Sequence, residues 1–147
     1  MSPRIDFYVL EGAEDRARLV YACRVIEKAF LQNLTVCVNL ASLAEAESFN
    51  TLLWTFADRA FVPHALAREG TGTAAMPPGT PVWVGAGAPV AADFLVNLAP
   101  EVPDFYANYA RVAEFVDAEP ARRDAGRRRF ALYRDRGHPP ETHKLPG

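Results

Sequence analysis

The chain is expected to form one α/β domain: a mostly parallel, twisted sheet of about five strands flanked by helices. Two observations lead there. The first half alternates strand, helix, strand, helix, the order that lays parallel strands side by side with crossover helices between them. At 147 residues, half of them apolar and 23% charged, the chain has the size and composition of one ordinary globular unit with a sizeable core. No internal repeat, low-complexity tract or linker divides it, so residues 1–137 are read as one domain and 138–147 as an extended tail.

Ile5-Asp-Phe-Tyr-Val-Leu10 is a short apolar run ended by Glu-Gly, the pattern of a buried first strand. From Asp15 to Phe30 the apolar residues recur at intervals of three and four, as on a helix. Leu34-Thr-Val-Cys-Val-Asn-Leu40, rich in β-branched residues, is a second strand. Ser42 stands three residues before Glu45, a capping-box spacing that starts a helix running to about Phe56. Between Asp58 and Pro81, glycines and prolines break any long element. Val82–Gly85, Asp93–Leu98 and Arg111–Val116 supply three further strands, with a short helical connection over Pro103–Tyr109. The last helix spans about Pro120 to Arg136, with proline in its first turn and Gly137 just past its end.

The net charge of −2 exerts no general pull toward nucleic acid or membrane, but its distribution is uneven: eight of the sixteen lysines and arginines lie between Arg111 and Arg136. Cys23 and Cys37 occupy apolar contexts and read as buried, reduced thiols. Met1-Ser-Pro-Arg-Ile-Asp6 carries no apolar signal region, and no run approaches the ~18 apolar residues of a membrane span. A soluble, cytoplasmic protein without a membrane partner is expected.

A parallel α/β sheet invites comparison with nucleotide-dependent enzymes. These need a glycine-rich turn after the first strand, whose backbone amides approach phosphate. Here that turn is Glu11-Gly-Ala-Glu-Asp-Arg16, with one glycine and three acids that repel an anion. No lysine followed by serine or threonine completes a phosphate loop. His64 lacks a visible nucleophile or orienting carboxylate, and His138 and His143 are set among prolines, so structural roles are favoured over a general base or a zinc site. Asp93, Glu101 and Asp104 are scattered acids near strand ends. No catalytic residue, metal ligand or cofactor is expected.

The last helix is unusual in its arginines. With Arg122 at zero and 100° per residue, Arg123, Arg127 and Arg134 fall at about 100°, 140° and 120°, a stripe roughly 40° wide. Phe130, Gly126 and Tyr133 follow at about 80°, 40° and 20°, so the stripe borders the aromatic face. Arg122, Arg129 and Arg136 form a second stripe, and only Glu119, Asp124 and Asp135 are near in sequence to balance seven arginines. A guanidinium fork suits carboxylate or phosphate. An acidic peptide with an apolar end matches the pairing of arginine with aromatic residues better than nucleic acid does, since the rest of the chain is acidic. A solubilising surface helix is the plainer alternative.

The second informative stretch is Phe61-Val-Pro-His-Ala-Leu-Ala-Arg-Glu-Gly70, preceded by Leu52, Leu53, Trp54 and Phe56. It is a dense apolar and aromatic patch entering a proline-fixed turn. Core packing accounts for Leu53 and Val62. For Trp54 and Phe61, packing and a partner-binding patch both stand, because aromatic anchors carry much interface energy.

These residues, in order, resemble the chi subunit family of the bacterial DNA polymerase III clamp-loader assembly. The resemblance runs through Phe7-Tyr-Val-Leu10, Leu53-Trp54, Phe61-Val-Pro-His64, Leu66-Ala67 and Glu69-Gly70. It continues through Leu95-Val-Asn-Leu98, Val112-Ala-Glu-Phe-Val116 and Gly126-Arg-Arg-Arg-Phe-Ala-Leu-Tyr-Arg134, nearly the whole chain. It implies a non-catalytic Rossmann-like domain with two binding surfaces. One receives the acidic C-terminal tail of single-stranded DNA-binding protein, which ends in Pro-Phe; Arg123 and Arg127 match the family's basic residues, with Val116 and Tyr133 beside the socket for the terminal phenylalanine. A third basic position of the family falls on Ala131, and Arg134 lies on the same stripe to compensate. The other surface binds the psi subunit, or an equivalent clamp-loader partner, through residues matching Trp54 and Phe61. DNA is then engaged only indirectly. The rival classes are a nucleotide-dependent Rossmann-like enzyme and a direct single-stranded nucleic-acid-binding module using the arginine helix.

Overall fold

The computed structural model describes residues 3–56, 64–66 and 81–145. In chain order the elements are β1 (Arg4–Leu10), α1 (Asp15–Leu31), β2 (Val36–Asn39), α2 (Leu43–Thr55), β3 (His64–Leu66), β4 (Val82–Gly85), β5 (Phe94–Asn97), a 3-10 turn (Tyr106–Asn108), β6 (Arg111–Val116), α3 (Pro120–Asp135) and β7 (Glu141–Leu145). The strands form one sheet in the order β3-β4-β2-β5-β6-β1-β7, and every neighbouring pair is parallel.

The expected α/β class is the observed one, but the sheet has seven strands among the described residues where about five were expected. The two additional strands are its edges. β3 is only three residues long, and β7 is the polar run Glu-Thr-His-Lys-Leu following two prolines, so neither carries an apolar signal. Edge strands bury little and often bear charge. Residues 141–145, expected as part of an extended tail, therefore run beside β1, with Asp6 opposite Glu141 and Tyr8 opposite His143.

Alternation along the strands divides the core into two layers. On one face, Val36, Val38, Phe94, Val96 and Phe115 pack against Ala22, Ile26, Phe49 and Leu53 of α1 and α2. On the other, Ile5, Phe7, Leu95, Val112 and Val116 pack against Tyr133 and Phe130 of α3 and against Tyr106 and Tyr109. Ser42 caps α2 by accepting the Glu45 amide at 3.2 Å. Glu119 caps α3 by accepting from the amides of Ala121 and Arg122, and Pro120 occupies its first turn. Gly137, at φ +84°, ends α3 in the left-handed region that glycine adopts without strain. Among the described residues no helix is long and apolar enough to cross a membrane.

Candidate protein-binding surfaces

Helix α3 lies close upon β6 because Gly126 has no side chain. A Cβ there would sit 2.7 Å from Cγ2 of Val116. This approach buries Val116 and Tyr133, leaving them 6% and 0% exposed. The Tyr133 ring meets Phe7 and Tyr106 edge-on, at centroid distances of 5.9 and 5.0 Å.

A polar chain runs through this otherwise apolar layer. Asn39, Asn97 and Glu114 stand at one register on β2, β5 and β6. Asn39 Nδ2 donates to Asn97 Oδ1 at 3.1 Å, and Asn97 Nδ2 donates to Glu114 Oε2 at 2.8 Å. Tyr133 Oη donates to the same oxygen at 2.7 Å, while Arg129 Nε donates to Glu114 Oε1 at 2.8 Å. Burial raises the Glu114 carboxyl above the ordinary carboxylate range; Arg129 is the chief influence pulling it back, with Asn97 and Tyr133 helping. Burial and the Glu114 charge likewise push the Tyr133 hydroxyl upward, so it remains a donor.

The arginines of α3 thus separate into two kinds. Arg129 is buried against Glu114. Arg122 is held by Asp117 through two bonds of 2.9 and 2.8 Å, and it also donates to the Ala13 carbonyl at 2.9 Å. These two secure the helix to the sheet and to the turn after β1. That turn also offers the Gly12 carbonyl to the Ala118 amide at 2.9 Å, so it presents acceptors where a phosphate would need donors.

Arg123, Arg127 and Arg134 are exposed. Among the described residues Arg127 has only a loose surface contact with Asp124 at 3.7 Å, and Arg134 a contact with its neighbour Asp135 at 3.4 Å. Such exposed pairs contribute little and leave the guanidinium groups open to a stronger ligand. Beside them Phe130 is half-buried, its ring 5.2 Å from that of Phe7. Of the two aromatic residues facing the core from α3, Phe130 reaches the surface and Tyr133 does not. The resemblance implies Tyr133 beside the socket; on the wheel Phe130 lies nearer the arginine stripe.

Trp54, at the end of α2, is 44% exposed. Its ring lies over that of His64, with centroids 4.1 Å apart, and His64 Nε2 donates to the Asn50 carbonyl at 3.2 Å. His64 thus has a structural place at the start of β3. Phe61 lies outside the described residues.

The other titratable cluster is at the opposite sheet edge. Asp6, fully buried, accepts from Arg4 at 3.2 Å, Arg111 at 3.3 Å and His143 at 2.9 Å, and Arg4 also reaches Glu141 at 3.4 Å. Asp6, Glu141 and His143 are close enough to share an ion, but two guanidinium groups already occupy the carboxylates. The cluster is a clasp for β7.

The profile of the family described as DNA polymerase III chi subunit, HolC, matches residues 1–141. The chain belongs to the DNA polymerase III chi subunit family. It is 42% identical over 145 residues to the DNA polymerase III subunit chi of Pseudomonas aeruginosa, covering 97% of both chains. It is 27% identical over 140 residues to the same subunit of Haemophilus influenzae, covering 93% of this chain and 94% of that one. Chi membership places the chain in DNA replication, and it covers the whole α/β unit through the start of β7.

Proposed function

We propose that the chain is a non-catalytic accessory subunit of the DNA polymerase III holoenzyme that tethers the clamp loader to single-stranded DNA-binding protein. Its α3 captures the acidic C-terminal tail of that protein, in the bacterial cytoplasm where replication occurs. The observation carrying this reading is the division among the α3 arginines: Arg122 and Arg129 are neutralised by Asp117, just after β6, and Glu114 within it, while Arg123, Arg127 and Arg134 stay exposed beside Phe130. Three guanidinium groups along one flank offer forks to successive carboxylates. Phe130 gives the apolar end of the tail a ring to pack upon, over a floor of Val116 and Tyr133 held rigid by Glu114. Arg134 supplies on this stripe the positive charge that Ala131 lacks.

The second surface, for a psi subunit or an equivalent clamp-loader partner, is proposed around Trp54 with Phe61. An indole nearly half exposed and braced against His64 is the kind of rigid aromatic anchor that interfaces use. DNA is engaged through the tail-bearing protein.

Fluorescence anisotropy with a labelled acidic peptide ending in Asp-Ile-Pro-Phe tests the tether. Saturable binding is expected, weakened severalfold by Arg127→Ala, weakened further by removing the terminal Phe, and shallower in its salt dependence in the variant. Equal affinity of wild type and Arg127→Ala at low salt would place the tail elsewhere. Tight binding of a bare oligonucleotide at physiological salt would favour the direct nucleic-acid module instead.

A further inference from the structure

On the sheet face opposite α3, the last three turns of α1 lie over β1, β5 and β6 and border a cavity of about 180 Å³. Its polar lining is Tyr8, Tyr21, Lys28, Gln32 and Arg111, with Phe94 among the apolar walls. Among the described residues two cations and no acid line it. Three larger clefts among the described residues differ: two include Asp15 and Glu45, and a third includes Glu101 and Asp104.

Of the donors here, Arg111 alone is engaged by an acid among the described residues, through its Nε only. Among the described residues the hydroxyls of Tyr8 and Tyr21 meet no hydrogen-bond partner, and Lys28 makes no ion pair. Arg111 uses Nε for Asp6 and lies with its Cζ 4.9 Å over the Phe94 ring, which leaves both terminal nitrogens for a ligand. Asp6, the acid that bonds Arg111, is also taken up by Arg4 and His143. Burial pushes the Tyr21 hydroxyl above its ordinary range, keeping it protonated and a donor. Tyr8 is held between Phe115 and His143, with centroids 5.3 and 5.0 Å away, so its ring has little freedom.

We infer that this cavity is an oxyanion site for a phosphate-class group, built from Tyr8, Tyr21, Lys28, Gln32 and Arg111. The space is well below the ~300–1,000 Å³ of a drug-sized ligand pocket and suits a single tetrahedral oxyanion. Five donor side chains of four kinds match an anion that offers acceptors in several directions. The group would come either from free phosphate or from the phosphodiester backbone of a single strand; both present the same oxygens. The site is independent of the tail-binding reading, since α3 packs on the other face.

Two-dimensional amide NMR titration of the full chain, at ionic strength held constant with chloride, tests the site. Orthophosphate and a short oligothymidylate are the two probes. Saturable shifts are expected at residues 8, 21, 28, 32, 94 and 111. Lys28→Ala, a change at an exposed position, should weaken binding about tenfold, the loss of one charge-assisted bond. Tyr21→Phe should weaken it severalfold, and Arg127→Ala should leave it unchanged. Shifts at these amides by orthophosphate alone assign a free anion. The same shifts by the oligonucleotide at lower concentration assign a strand backbone. Unaltered saturation in Lys28→Ala, or shifts gathered on α3, would overturn the site.

Discussion

Replacing Arg129 with methionine probes the device that orients α3. The change removes the charge bonded to Glu114 at 2.8 Å and the donor to the Pro100 carbonyl at 3.0 Å, while a flexible apolar chain fills most of the same channel. The cavity contribution is therefore small, and the cost is that of leaving a buried carboxylate without its counter-charge, about 3–5 kcal/mol. That cost depends on pH in a defined direction. Burial already raises the Glu114 carboxyl, and loss of Arg129 raises it further. A group whose folded pKa lies above its unfolded value contributes stability fully present below the unfolded value and lost as pH rises through the folded one. The variant should thus lie closest to wild type near pH 5 and furthest from it near pH 8. Urea denaturation at both values, followed by tryptophan fluorescence, reads the difference directly. The double change Glu114→Gln with Arg129→Met should recover part of the loss, since no charge is then stranded. A gap below about 1 kcal/mol at pH 8, or one that does not vary with pH, would refute the reasoning.

Three other outcomes are expected. Asp6→Asn should loosen β7, seen as faster hydrogen exchange at the amides of 141–145. In the wild type, burial raises the Asp6 carboxyl, but His143, Arg4 and Arg111 together hold it below its ordinary range, so its stabilisation is present above about pH 4 and is lost as pH falls through the lowered value. Gly126→Val should destabilise by roughly 1–3 kcal/mol through collision with Val116, with tail affinity falling as α3 shifts, measured by urea melts and anisotropy together. Trp54→Ala, which removes a half-covered ring packed on His64, should destabilise by about 1–2 kcal/mol yet abolish capture of the clamp-loader partner with tail binding intact; loss of both would indicate misfolding.

Much of the fold was legible because its signals are local. Five strands announced themselves as apolar runs, and the start of α2 and both ends of α3 followed from Ser42, Pro120 and Gly137, each acting on backbone groups within a turn or two. The exposure of Arg123, Arg127 and Arg134 and the burial of Gly126 and Tyr133 follow from helical periodicity alone. The lone Glu114 within Val-Ala-Glu-Phe-Val, with Asn39 and Asn97 in two other apolar strands, held a further signal that went unread. A polar side chain inside a buried strand requires a partner, and here the three partner one another.

Composition, order of elements and helix periodicity are properties of neighbouring residues, so the α/β class, the family and the arginine stripe could be read along the chain. Partners of buried charge are set by which strands lie side by side. Arg129 finds Glu114, and His143 finds Asp6 across 137 positions, only because β6 and β7 end up where the sheet puts them. Among the arginines of the last helix, Arg122 and Arg129 thereby found acids, while Arg123, Arg127 and Arg134 stayed exposed. Which acids satisfy Arg122 and Arg129 depends on distances between elements, which no local pattern encodes.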